Sequence, residues 1–161
     1  MKEIKLTERD IERFLAKIGD PDARGCTDWN ASRTPKGYGQ FSIGHTLYRA
    51  HRVAYTIAFG GVPDDMQIDH TCLRPQCVNP EHLRPVTQKQ NMEHKGGAYR
   101  NNGSGIRGVT LHRRSGKWRV RVRHDGQEIY GGLFDDKSEA EKVATKMRLS
   151  LFTHNELDRA V

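Results

Sequence analysis

The chain has 161 residues, room for one ordinary domain or two small ones, and at 35% hydrophobic residues neither half can bury a large core without a metal or a partner to help. Its 27 basic against 20 acidic side chains leave a formal charge of +7, concentrated between Arg107 and Arg123 with seven basic residues and no acidic one. That block favours a polyanionic partner, a solubilising face being the bland alternative. Three cysteines cannot pair off, Met1 to Gly19 lack an apolar signal core and no stretch approaches a membrane span, so metal-bound thiolates in a reducing cytoplasm are expected rather than disulfides.

Thr7-Glu8-Arg9-Asp10 resembles a helix start, and Ile11, Phe14, Leu15 and Ile18 recur at helical spacing until Gly19 and Pro21. Gly37 to Ile43 alternates and reads as a strand or hairpin arm. Ala50, Val53, Ala54, Ile57 and Ala58 form a second helical stripe closed by Gly60-Gly61; His51 and Arg52 open it, at the surface or on a phosphate. Met66 to Asp69 is a short strand delivering His70, residues 71–81 are an irregular loop, and His82 to Pro85 allow another short strand. Thr87-Gln88-Lys89-Gln90 fits a capping box, so a helix opens near Gln88 with Asn91 in its early turns.

Gly96 to Gly105 has no hydrophobic periodicity and reads as a flexible linker (96–105) between domains at 1–95 and 106–161. Strands follow at about 106–113, 117–124 and 127–134, separated by Ser115-Gly116 and by Asp125-Gly126, a hairpin signal. Ala140, Val143, Ala144, Met147 and Leu151 mark a helix begun by Asp136 and Glu139. The expected class is α+β.

The densest chemistry is in residues 69–91. Cys72, Cys77 and His82 are evenly spaced and suit a loop closed on one tetrahedral zinc, and Cys26, the remaining cysteine, is the natural fourth ligand. His70 is a candidate general base, Asp69 and Asn91 are oxygen donors for Mg²⁺ or Mn²⁺, and Asn79 is expected to brace the loop around His70. Spacing alone also permits a purely structural zinc knot.

The pattern Asp69-His70, Asn79 and Asn91 with Cys72, Cys77 and His82 resembles the HNH nucleases of the His-Me (ββα-metal) finger group, especially the His-Cys box homing endonucleases. The resemblance covers about 26–95. It implies a zinc-bound ββα-metal nuclease domain of phage or bacterial type with His70 as base, Cys26, Cys72, Cys77 and His82 on structural zinc, and Asn91 with Asp69 on the catalytic divalent ion. The upstream Cys26-x-x-Trp29, Gly37-Tyr38-Gly39 and His51-Arg52 also look like the phage-type members. Asn91 stands where the third letter of HNH is histidine, and His94 lies one turn further on, expected on the exposed face of the helix.

In the C-terminal half, Trp118, Val120 and Val122 alternate with Arg119, Arg121 and Arg123, and Val109 and Leu111 alternate with Gly108, Thr110 and His112. Alternation puts apolar side chains on a helix and arginines on the far face, a shape that can enter the major groove. Gly105-Ile106-Arg107-Gly108-Val109, Gly116-Lys117-Trp118 and Gly132-Leu133-Phe134 resemble the ethylene-response-factor (Apetala-type) DNA-binding domain: a three-stranded antiparallel sheet packed on one helix. By that resemblance Arg107, Thr110, His112, Arg114, Arg119, Arg121, Arg123 and Tyr130 are candidate DNA contacts. The joint expectation is a site-specific homing-type endonuclease acting on double-stranded DNA, as monomer or homodimer. A non-catalytic zinc-containing DNA-binding regulator and an RNA-binding module are the alternatives.

Overall fold

A computed structural model describes residues 3–94, 97–98 and 101–159, apart from the side chain of Leu157. The boundary expected at residue 95, and Gly96, Tyr99 and Arg100 of the expected linker, lie outside the described residues. The chain divides into two compact units, Met1–Gln88 and Lys89–Val161. Both are mixtures of helices and small antiparallel sheets.

The first unit opens with helix α1 (Glu8–Leu15), whose N-cap Thr7 and Asp10 satisfy each other's backbone N–H in a capping box. Ile18, at helical spacing in the sequence, instead lies in strand β1 (Ile18–Pro21), paired with Trp29 of β2 (Thr27–Trp29). The helix stops at Ala16, where Asn30 N takes Lys17 O and draws the chain into an extended pair. Hairpin β3 (Gln40–Ile43)–β4 (Thr46–Arg49) leads directly into α2 (Ala50–Phe59), closed by left-handed Gly60 at φ 81°. Phe14, Trp29 and Phe41 stack with centroids 4.9–5.9 Å apart and bind helix, first pair and hairpin into one core. Gly39 is required there: a Cβ would sit 2.7 Å from both Ala50 Cβ and Trp29 Cδ1.

Strands β5 (Gln67–His70) and β6 (Leu83–Val86) pair antiparallel, with Asp69 opposite Arg84 and His70 opposite Leu83. The loop between them ends in a single 3₁₀ turn, Pro80–His82. Helix α3 (Gln88–Glu93) follows, and the division between units falls after its first residue.

In the second unit, β7 (Val109–His112), β8 (Lys117–His124) and β9 (Gln127–Phe134) form a sheet in sequence order. Asp125 and Gly126, at φ 49° and 78°, make the tight turn before β9. Helix α4 (Lys137–Leu151), capped by Asp136, packs Ala140 and Ala144 on Val109 and Val120, and a short helix α5 (Glu156–Arg159) ends the described chain. Residues 102–105, the end of the stretch read as linker, form a compact turn with Ile106: buried Ser104 donates to Val109 O, and Asn102 Nδ2 donates to Ile106 O. Polar side chains closing on nearby backbone replace the absent hydrophobic pattern. Leu111, expected inside, is half-exposed, because the apolar cluster under α4 takes only Val109 from β7. No helix among the described residues is long and apolar enough to cross a membrane.

Candidate metal centre and nuclease site

Cys26, Cys72, Cys77 and His82 present their ligand atoms within 4.8 Å of one another. The approach of Cys26 is enforced locally. Asp28 bridges to Cys77, Val78 N bonds Thr27 O, and Trp29 N bonds Gln76 O, so the segment carrying Cys26 runs alongside the loop. Arg74 pairs with Asp22 and, at 2.6 Å, with Asp28. Asp22 in turn accepts from the N–H groups of Cys26 and Arg24, which hold its carboxyl below the usual carboxylate range.

The donor set fits one tetrahedral ion. With Zn–S near 2.3 Å and Zn–N near 2.0 Å, ligand atoms around zinc stand roughly 3.5–3.8 Å apart. His82 Nδ1 lies 3.5 Å from Cys26 Sγ and 3.6 Å from Cys77 Sγ. Burial pushes the Cys72 thiol up to about 12, with the neighbouring cysteines adding to the shift and the Arg74 N–H opposing it. Burial likewise raises Cys77. Thiolates gathered here therefore need a cation among them, and three sulfurs with one imidazole suit zinc.

Asn79 caps the 3₁₀ turn by accepting from Glu81 N at 3.0 Å and donates to Gly25 O at 2.6 Å. It braces the backbone beside ligands Cys26 and His82, whereas the sequence pointed to the backbone around His70. A cap residue satisfies the nearest orphan amide, and that amide belongs to the turn that presents His82.

His70 stands at the end of β5, 5% exposed, with Nε2 3.0 Å from Cys77 O. A carbonyl only accepts, so Nε2 carries the proton and Nδ1 is the basic nitrogen of the ring. The loop that collects the thiols thus also sets the histidine tautomer. Asp69, on the preceding position, receives Arg84 Nη2 at 3.3 Å.

His51, read from the sequence as a surface or phosphate-contacting residue, is buried instead. Its ring lies 4.7 Å from that of His70 at 62°, with Tyr38 5.6 Å from His51 and 6.0 Å from His70. Burial above all, with the neighbouring His70, Arg52 and Arg49 adding to it and Asp69 opposing, pushes the His51 pKa down to about 3, so it is neutral at physiological pH. The alanine and valine stripe of α2 signals a packed face, but only tertiary packing reveals that His51 turns inward with it. His94, expected to be exposed, is 2% exposed and belongs with Asn91 to the second unit, its Nε2 3.3 Å from Glu156 Oε2.

Of the candidate DNA contacts, Thr110, Arg114, Arg123 and Tyr130 are exposed, and Arg121 pairs with Glu128 across the sheet. His112 Nδ1 lies 2.7 Å from Ser115 Oγ, and Arg119 is partly buried with Nε in contact with no acceptor among the described residues. Arg107 points inward to backbone carbonyls, bonding Glu93 O and Met92 O at 2.8 Å each.

Residues 48–93 match the HNH endonuclease family, from Tyr48 of β4 to the last residue of α3. This segment of the chain is therefore similar to HNH endonucleases. Similar curated proteins are phage proteins. "Protein 7.7" of Escherichia phage T7 is 35% identical over 68 residues, 42% of this chain and 52% of that protein. "Protein 2.8" of the same phage is 33% identical over 91 residues, 55% of this chain and 58% of that protein. The "Uncharacterized gene 5.3 protein" of Enterobacteria phage T3 is 32% identical over 66 residues, 37% of this chain and 65% of that protein. The chain thus spans a little over half the length of the first two relatives. No solved structure matches.

Proposed function

We propose that this protein is a site-specific, divalent-cation-dependent DNA endonuclease of the homing type. Its first unit would cut and its C-terminal sheet would grip the duplex. The observation that carries the reading is the hydrogen bond of His70 Nε2 to Cys77 O, which makes Nδ1 a proton acceptor within the matched HNH segment. In hydrolysis, His70 Nδ1 takes a proton from a water whose oxygen attacks phosphorus; the P–O3′ bond breaks and the 3′ oxygen leaves with a proton from solvent. Asp69 and Asn91 would hold Mg²⁺ or Mn²⁺, which when bound supplies positive charge against the phosphate and the departing oxygen. Cys26, Cys72, Cys77 and His82 would hold zinc, which with four protein ligands would serve structure rather than catalysis.

Exposed Arg123, Arg114, Thr110 and Tyr130 are the proposed duplex contacts on the sheet, in keeping with the basic block between Arg107 and Arg123. The test is conversion of supercoiled plasmids drawn from a phage or host library, with Mg²⁺ or Mn²⁺ added or omitted, by wild type and His70→Ala. Cation-dependent nicking or linearisation lost in His70→Ala is expected. Tight duplex binding without cutting, unchanged in His70→Ala, would instead establish a non-catalytic regulator.

A further inference from the structure

Helix α3 is only six residues long, too short to be stable by its own hydrogen bonds. What fixes it comes from the second unit. Arg107 donates from Nη1 to Glu93 O and from Nη2 to Met92 O, each at 2.8 Å, which satisfies carbonyls orphaned at the helix end and places a cation where the helix dipole favours one. The Arg107 guanidinium also lies 5.1 Å over the Phe152 ring. Glu93 is 4% exposed, and its Oε2 accepts from Thr153 N at 2.8 Å, Thr153 Oγ1 at 3.0 Å and His154 N at 3.4 Å. Lys89 Nζ pairs with Asp125 of the β8–β9 turn at 2.6 Å, and His94 approaches Glu156. Residues on both sides of Asn91 are thereby held by the sheet, the end of α4 and the segment after it.

We propose that the C-terminal unit positions Asn91 for cation binding, with Arg107 and Glu93 as its positioning residues. The inference rests on the reading of Asn91 as a ligand of the catalytic cation. It gives this unit a task besides gripping DNA, and it gives Arg107 a role other than the duplex contact suggested by its sequence. Arg107 reaches two main-chain oxygens in a fork that lysine cannot reproduce in full, and Glu93 receives three donors that an amide can still partly serve.

The experiment uses the full chain: wild type, Arg107→Ala, Arg107→Lys, Glu93→Ala and Glu93→Gln. Two quantities are read, the Mn²⁺ concentration giving half-maximal plasmid cutting and the affinity for uncut duplex without added divalent cation. Loss of outer supports of a metal ligand typically costs about 10–100-fold in metal affinity or activity. A rise of that order is expected for both alanine variants, with partial rescue in Arg107→Lys and Glu93→Gln and unchanged duplex affinity. An unchanged Mn²⁺ requirement overturns the proposal, as does a loss of cutting that follows a loss of duplex affinity, which would make Arg107 a DNA contact. If the alanine variants do not fold, Asp125→Asn, which loosens Lys89 and the adjacent His124 while leaving Arg107 and Glu93 in place and keeps a residue tolerant of positive φ, must show a smaller shift in the same direction; no shift again overturns it. Wild type that cuts nothing, or His70→Ala that cuts normally, defeats the nuclease reading itself and this inference with it.

Discussion

His70 Nε2 lies 3.0 Å from the main-chain oxygen of Cys77, so the proposed base is oriented by a residue whose own side chain belongs to the metal cluster. Zinc held by the cluster and proton acceptance by His70 would thereby be joined through one residue. Cys72→Ser, which weakens the half-exposed corner of the cluster, should lower the cutting rate more than duplex affinity. Equal losses in single-turnover cutting and in binding would show that the loop does not steer His70.

Metal is expected to hold the first unit together. Structural zinc sites in small domains carry apparent binding free energies of about 10–16 kcal/mol near neutral pH, and without the ion such domains unfold. The protein should purify with about one zinc per chain. Cys77→Ser, at a buried ligand, should lose the zinc together with near-ultraviolet dichroism from the Trp29 core. Elemental analysis showing no zinc in well-folded wild type would refute this.

Burial of neutral His51 makes stability depend on pH. In the unfolded chain its imidazole protonates below about 6.5, whereas in the folded chain it does so only near 3. The unfolded state therefore takes up an extra proton as pH falls through 6.5, and the stability present above that value is lost progressively down to about 3. His51→Gln should remove a dependence of at most about 1.4 kcal/mol per pH unit. Urea unfolding of both zinc-loaded proteins at pH 7 and pH 5 reads the difference; parallel losses would show that His51 is not the titrating group.

Gly39→Ala should destabilise by about 1–3 kcal/mol, because its Cβ must enter space held by Trp29 and Ala50. Gly103→Ala meets nothing within 4 Å and should stay within about 0.5 kcal/mol of wild type. Similar denaturation midpoints for the two would contradict the packing around Trp29.

Arg123→Ala should weaken duplex binding almost uniformly across sequences and reduce the salt slope by about one unit if Arg123 meets a phosphate. Affinity measured over a range of salt decides this: an unchanged slope with weaker binding to one sequence alone would make it a base contact.

Much of this protein was legible because it is written locally. The stripe Ala50, Val53, Ala54 gave α2, alternation around Trp118 gave β8, Asp125-Gly126 gave the turn, and Cys72, Cys77 and His82 gave three corners of the cluster. Periodicity and turn chemistry need only neighbours in sequence, and a ligand count with no cysteine left over suffices to nominate Cys26. Other outcomes depended on which surfaces meet. Ile18 left the helix for Trp29, Leu111 fell outside the apolar cluster, and Asn79 served the turn at His82. His51 and His94 are polar residues whose sequence neighbours give no sign of burial; His51 is enclosed by Tyr38 and His70, and His94 faces Glu156. Sequence by itself determined the elements and the chemical groups, whereas the tertiary structure decided which polar groups are dry and what each one faces, because desolvation and hydrogen-bond partners are properties of packed surfaces brought together from distant parts of the chain.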